Sequence, residues 1–150
     1  MSDRLLIIES PYYREITDAL KQGAMAAIEA AGATADTVEV PGVLEIPAAL
    51  SMAVASVRRG QGPVYDGDVL LGCGIRGEPS HYDIVANESA RAVMDLSVEY
   101  QLAVGNGILT VNNGDQARVR ADIGKKDKGG DAARAALAMI SLRRCLAGLS

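Results

Sequence analysis

Residues 69–111, VLLGCGIRGEPSHYDIVANESARAVMDLSVEYQLAVGNGILTV, are the stretch that decides the fold. A short apolar run at 69–73 is followed by a loop rich in glycine and proline, then by a long stretch with helical spacing, then by a second apolar run at 104–111. This change of period is typical of alternating strand and helix. The segment therefore predicts two parallel strands joined by a right-handed helical crossover.

The same alternation continues on both sides of this segment. Short apolar runs predict further strands at 5–8 and 37–40, the second ended by a Pro-Gly pair. Helical spacing of apolar residues predicts helices between these strands. Four strands separated by helices predict a three-layer α/β/α fold with a four-stranded parallel sheet covered by helices on both faces. The predicted helices cover residues 13–31, 46–59, 82–100, 116–121 and 131–147, and the predicted loop before the third of them covers 74–80.

Composition narrows the possible functions. With 150 residues and 49% apolar content, the chain is expected to form one domain spanning 1–150. A net charge of −4 does not favour nucleic acid as a partner. The first apolar run is too short for a signal peptide, and no run approaches the ~20 residues that span a bilayer, so we expect a cytoplasmic protein without membrane contact.

The cysteine and histidine content argues against metal and disulfide chemistry. Cys73 and Cys145 lie far apart in the sequence, and His81 is the only histidine. Such a set provides neither a disulfide framework nor the four ligands of a closed zinc site. The sequence therefore predicts no metal site.

Polar and glycine-rich clusters follow the predicted strands. They lie at 10–13, 41–45, 74–81 and 106–113. Because ligands of parallel α/β sheets bind outside the carboxyl ends of the strands, we expect these four clusters to meet along one edge of the sheet.

The residues in these clusters allow two interpretations each. Glu45 is either a helix-terminal acid favoured by the helix dipole or a ligand-binding carboxylate. His81 is either a solvated or capping residue or a proton-transfer group. The loop at 74–77 could hold an anion, and the basic patch that includes Arg120 and Lys128 is either a solvated turn or an anion clamp. The residues alone thus indicate a small anionic ligand.

Five motifs in order give a more specific interpretation. They are VPGVLEIP at 40–47, LGCGIRG at 71–77 with a histidine four residues on, Asn-Glu at 87–88, GILT at 107–110, and Lys-Gly at 128–129 before an alanine-rich helix. In this order and spacing the chain resembles the 6,7-dimethyl-8-ribityllumazine synthases over nearly its whole length. The resemblance implies a flavodoxin-like fold.

The resemblance also implies a reaction. Enzymes of this family condense 5-amino-6-(D-ribitylamino)uracil with 3,4-dihydroxy-2-butanone 4-phosphate and release phosphate and water in riboflavin biosynthesis. The implied enzyme is a transferase that acts on small molecules and uses no metal or organic cofactor.

The resemblance assigns roles to particular residues. Tyr12 stacks on the pyrimidine, Glu45 binds the ribityl hydroxyls, and His81 transfers protons. Arg120 binds the phosphate and Asp131 orients the imidazole. The whole implied set comprises His81 and Asp131 in catalysis, and Tyr12, Val43, Leu44, Glu45, Gly74, Ile75, Glu78, Pro79, Asn106, Arg120 and Lys128 in substrate binding.

The resemblance further implies an oligomer. Arg120 and Lys128 would come from a neighbouring subunit, in a pentamer or in a shell of twelve pentamers. Only eleven residues precede Tyr12, which leaves little chain for a strand that adds to a neighbour's sheet. We therefore expect a homopentamer, or a pair of pentamers, rather than a shell of sixty subunits.

Three departures keep other functions open. Leu44 and Asn106 stand where the family usually has aromatic residues, and Pro79 replaces a threonine that helps to hold phosphate. These changes favour a second hypothesis, a catalytically weak paralogue that binds a lumazine or flavin for storage or signalling. A purely structural, shell-forming protein is a third hypothesis, which the retained His81 and Arg120 disfavour.

Overall fold

The computed structural model describes residues 2–77 and 79–148 and shows the predicted three-layer α/β/α fold. Four parallel strands form one sheet in the order β2-β1-β3-β4, which is the start of the flavodoxin-like order. The strands are β1 (Arg4–Glu9), β2 (Thr34–Glu39), β3 (Gly67–Ile75) and β4 (Val104–Val111). The helices are α1 (Arg14–Ala30), α2 (Ile46–Arg58), α3 (Pro79–Glu99), α4 (Gly114–Ala121) and α5 (Lys128–Leu146), and a 3-10 turn at Val43–Glu45 precedes α2.

Strands β1 and β3 form the centre of the sheet and are buried on both faces. In β1, Leu5 and Ile7 pack on one face while Leu6 and Ile8 pack on the other, because side chains alternate along a strand. Strand β3 lies beside β1 with Ile8 paired to Leu70. Near-continuous apolar runs of this kind are typical of a parallel strand covered by helices on both sides.

One face of the sheet is covered by α1, α4 and α5, and its packing depends on very short backbone distances. A Cβ added at Gly129 would lie 1.9 Å from the carbonyl oxygen of Leu20, and one at Gly105 would lie 1.7 Å from that of Ala132. Only glycine can occupy such positions, since any side chain would overlap the neighbouring backbone. Small residues therefore bring α5 close to α1 and to β4.

The other face is covered by α2 and α3. Its buried apolar cluster is small and includes Ile46, Leu50 and Val93 together with residues of β1 and β3. Large apolar side chains of the same two helices, such as Met94 and Val98, remain exposed. In the ranges that the structure describes, no helix is both long and apolar enough to cross a bilayer.

The element boundaries differ from the predicted ones where backbone pairing or capping outweighs the apolar pattern. Strand β2 starts at Thr34, not at 37, because its polar residues pair with β1 through the backbone at the edge of the sheet. Helix α5 begins at Lys128, not at 131, because the Asp127 side chain accepts a hydrogen bond from the Gly130 N–H.

The predicted loop at 74–80 is wrong at both ends. Gly74 and Ile75 belong to β3, where they pair with Thr110 and Val111 of β4. Helix α3 already begins at Pro79, a residue tolerated in the first turn of a helix because its missing N–H would have no partner there. The connection between strand and helix is therefore shorter than the glycine and proline content suggested.

Candidate active site

A cleft of about 320 Å³ opens at the carboxyl ends of β1 and β3, between the 3-10 turn and the start of α3. We call it the His81 cleft. Four segments that are far apart in the sequence meet there, as expected for the carboxyl edge of a parallel sheet. The predicted site residues that line it are Tyr12, Val43, Leu44, Glu45, Gly74, Ile75 and His81.

Glu45 lies both at the start of a helix and in the His81 cleft. It occupies the N-cap position of α2, but its side chain makes no capping hydrogen bond there. A Cβ added at Gly42 would lie 3.0 Å from Oε1 of Glu45, so the carboxylate folds back over that glycine. The side chain is exposed and lines the His81 cleft, where its oxygens are available to hydroxyl donors.

His81 lies in the first turn of α3 and is exposed to the cleft. The side chain of Arg76 holds this turn against the end of the sheet. Its guanidinium lies 4.4 Å from the centre of the Tyr82 ring and 3.8 Å from the Asp83 carboxylate, and its Nε donates to Asn112 Oδ1 at 3.1 Å. These contacts position the helix start that carries the imidazole.

Sequence reasoning missed several residues of this cleft. Tyr13 and Tyr82 line it beside Tyr12, and the rings of Tyr12 and Tyr13 meet edge to face at 5.0 Å. Three tyrosines therefore surround the cleft, although Leu44 replaces the expected ring. The sequence could have indicated Tyr13 and Tyr82, since each directly follows a predicted site residue, Tyr12 and His81 respectively.

Cys73 also lines the His81 cleft but is unsuited to nucleophilic chemistry. Burial raises the pKa of its thiol from 9.0 to about 11. The reactive form of cysteine is the thiolate, which is scarce at neutral pH when the pKa is this high. Cys73 therefore contributes an apolar wall.

A second cleft, of about 380 Å³, lies along β4, at the end of α4 and the start of α5. We call it the Arg120 cleft. The remaining predicted site residues whose side chains the structure describes line this cleft. They are Asn106, Arg120, Lys128 and Asp131. The two clefts share no lining residue.

The Arg120 cleft is cationic on one side. Arg120 donates from Nη1 to the Gln116 carbonyl at 3.2 Å, which leaves its other N–H groups available to a ligand. Lys128 Nζ lies 3.7 Å from Asp131 Oδ2, and Asp131 Oδ1 accepts from Arg134 at 2.9 Å. In this chain Asp131 thus pairs with two cations and lies in a different cleft from His81.

Asn106 does not lie at the carboxyl edge where its cluster was expected. It is the third residue of β4, paired in register with Leu70, and its side-chain oxygen accepts from the Ile108 N–H at 3.0 Å. Strand β4 continues to Val111, so only the last part of the cluster at 106–113 reaches the edge. The side chain of Pro79 and the whole of Glu78 lie outside the described residues.

The flavodoxin-like sheet and a cleft with an imidazole at its carboxyl edge are typical of α/β enzymes that act on small molecules. The sequence profile described as 6,7-dimethyl-8-ribityllumazine synthase matches residues 2–144. The chain belongs to this family, which confirms the family predicted from its motifs.

Its relatives match over almost their full lengths. The 6,7-dimethyl-8-ribityllumazine synthase 1 of Rhizobium meliloti is 58% identical over 142 residues, covering 95% of this chain and 92% of the relative. The 6,7-dimethyl-8-ribityllumazine synthase of Agrobacterium fabrum is 56% identical, covering 96% and 97%. The 6,7-dimethyl-8-ribityllumazine synthase 1 of Rhodopseudomonas palustris is 54% identical, covering 96% and 88%.

Proposed function

We propose that this protein condenses 5-amino-6-(D-ribitylamino)uracil with 3,4-dihydroxy-2-butanone 4-phosphate at a site completed by two subunits. We call a site shared by two subunits in this way a composite site. One observation supports it: the predicted residues are divided between two clefts that share no residue. The His81 cleft of one subunit and the Arg120 cleft of its neighbour together supply a proton-transfer group, hydroxyl-binding oxygens and a phosphate clamp. Neither cleft contains all three.

The His81 cleft suits the pyrimidine and the proton transfers. Tyr12 is 73% exposed at the rim, where its ring is free to stack on a heterocycle. Imine formation and phosphate elimination both need a group that exchanges protons near neutral pH, which is a property of imidazole. His81 fits this role because it reaches the cleft from a helix start that Arg76 holds in place.

The Arg120 cleft suits the phosphate. A guanidinium presents several N–H donors in one plane and binds phosphate oxygens in pairs, while Lys128 adds a second positive charge. Positioning two substrates against each other provides a large part of the rate in such condensations. The arginine also stabilises the charge that develops as the phosphate leaves.

Exposed apolar side chains support the oligomer. Met94 is 62% exposed and Val98 is 69% exposed, and both lie on α3. Exposed apolar groups on one layer are typical of a surface that another subunit covers. A head-to-tail interface joins two different clefts, and it closes into a ring when its rotation divides a full turn. A homopentamer fits these requirements.

Subunit mixing tests the composite site. His81→Ala should lower turnover by ~10²–10⁴-fold, because a general acid–base group is lost. Arg120→Ala should raise KM for the butanone phosphate by about one to two decades and leave KM for the pyrimidine nearly unchanged. When equal amounts of both variants are unfolded together and reassembled, about a quarter of the interfaces should carry two intact clefts. Lumazine absorption and fluorescence report the recovered activity.

A matched pair provides the control. Glu45→Gln and His81→Ala change the same cleft, so mixing them creates no interface with two intact clefts and should recover nothing. Equal recovery in both mixtures would argue against the composite site. A wild-type protein that binds the lumazine but forms none from the two substrates would instead support the paralogue that stores or senses its ligand.

A further inference from the structure

A cavity of about 510 Å³ lies at the opposite end of the sheet from the His81 cleft and is larger than either cleft. It is formed by the last turns of α2 and α3 and by the start of β3. The proposed reaction uses none of its residues. Because it lies on the face with the small buried cluster, it reflects the incomplete packing there.

The floor of this cavity contains a buried carboxylate without a partner. Asp68 is the second residue of β3 and is only 8% exposed. Its main-chain N–H donates to the Ala103 carbonyl at 2.8 Å, but the described ranges contribute no hydrogen bond or ion pair to its carboxylate oxygens. Buried carboxylates are normally paired, so this carboxylate has acceptor oxygens available to a cationic group that enters the cavity.

The walls combine apolar side chains with aromatic rings. Val57 and Val64 provide apolar surface, and the rings of Tyr65 and Tyr100 line the cavity. The guanidinium of Arg58 is already placed over Tyr100, 5.1 Å from the centre of the ring. Aromatic faces and apolar walls beside a carboxylate are the features that bind organic cations.

We propose that this cavity is a second binding site, for a small organic cation whose ammonium group pairs with Asp68 and whose apolar body packs against Val57 and Val64. The charge of the lining favours a cation over an anion. Asp68 and Glu99 are acidic, and Arg58 is the one basic residue of the lining in the described ranges.

Binding should depend on pH because of the surroundings of Asp68. Burial raises the pKa of Asp68 to about 7, and the positive charge of Arg143 on α5 opposes this rise. The other charged or titratable groups around it are Arg58 on α2, Glu99 on α3, Tyr100 after α3, and Tyr65 before β3, with the guanidinium of Arg4 on β1 lying 5.3 Å from the centre of the Tyr65 ring. A neutral acid pairs weakly with an ammonium group, so a cation should bind more tightly at pH 8 than at pH 6.

Benzylamine and benzyl alcohol are matched probes, since they share a ring and differ in charge. Titrated into the assembled wild-type protein at pH 8 by calorimetry, benzylamine should bind about tenfold or more tightly than benzyl alcohol. Asp68→Asn should abolish the difference, whereas Glu99→Gln at the rim should keep most of it. Formation of the lumazine should be unchanged in Asp68→Asn, which separates this site from the proposed reaction.

Several outcomes would overturn the proposal. They are equal binding of the two probes, undiminished benzylamine binding by Asp68→Asn, or no binding of either probe because a neighbouring subunit fills the cavity. If Asp68→Asn does not fold, Val64→Trp provides a second test. Val64 is exposed at the rim, so the indole should fill the cavity and block benzylamine without disturbing the core.

Discussion

The two faces of the sheet differ in how completely one chain covers them. On the α1, α4 and α5 face, 19 apolar residues of the described ranges form one buried cluster. On the α2 and α3 face the corresponding cluster has six, and it adjoins a cavity and exposed methionine and valine side chains. The first face therefore has the larger buried core within the chain, and we call it the complete face; we call the second the incomplete face.

The largest expected effect is on the complete face. In Gly129→Ala the new Cβ would lie 1.9 Å from the Leu20 carbonyl oxygen, so α5 must separate from α1. We expect the free energy of unfolding to fall by about 4 kcal/mol or more, as for severe overpacking. Urea denaturation measures this change.

Gly114→Ala is the matched control for this substitution. Its Cβ would meet only the flexible side chain of Arg118, at 3.4 Å, at the first position of α4. Its stability should stay within about 0.5 kcal/mol of the wild type, as for most surface changes. Equal losses of unfolding free energy in the two variants would show that the close approach of α1 and α5 does not account for the effect of Gly129→Ala.

An intermediate effect is expected on the incomplete face. Val98→Asp places a charge in the surface that a neighbouring subunit would cover, which should weaken the assembly by about 2–4 kcal/mol per interface. The fold of the single chain should survive, because Val98 is 69% exposed there. Light scattering should show a shift from about 78 kDa, five times 15.6 kDa, to the mass of one chain.

The matching substitution on the complete face should leave the assembly intact. Leu142 on α5 is 45% exposed, so Leu142→Asp adds the same charge to the other layer. If this variant dissociates and Val98→Asp does not, then the assignment of the two faces is reversed. A wild-type particle near 940 kDa, sixty times 15.6 kDa, would contradict the expected pentamer.

The smallest expected effect concerns the buried acid under the incomplete face. The pKa of Asp68 is raised from 3.8 to about 7, so the folded state prefers the protonated form and this group removes stability as the pH rises between those values. Asp68→Asn abolishes that loss. Relative to the wild type, the variant should gain about 2–3 kcal/mol in unfolding free energy between pH 5 and pH 8. A constant difference across this range would show that Asp68 is already ionised and paired.

Local patterns in the sequence predicted much of the fold. The apolar runs that became β1 and β3, and the helical stripe of α1 with Leu20 and Ile28, depend on neighbours a few residues apart. Edge strand β2 was predicted only in part, because its polar first half is held by backbone pairing with β1 and carries little apolar signal. The early start of α5 depends on the Asp127 cap and on contacts with α1.

The sequence by itself determined the alternation of strands and helices, the central apolar strands, the motifs that identify the family, and the residue types available for chemistry. Tertiary structure alone decided that His81 and Arg120 lie in different clefts and that a cavity opens above Asp68. The physical reason is the separation along the chain between the residues that interact. Local patterns specify elements, whereas a cleft forms from strand register and helix packing between residues that are far apart in the chain.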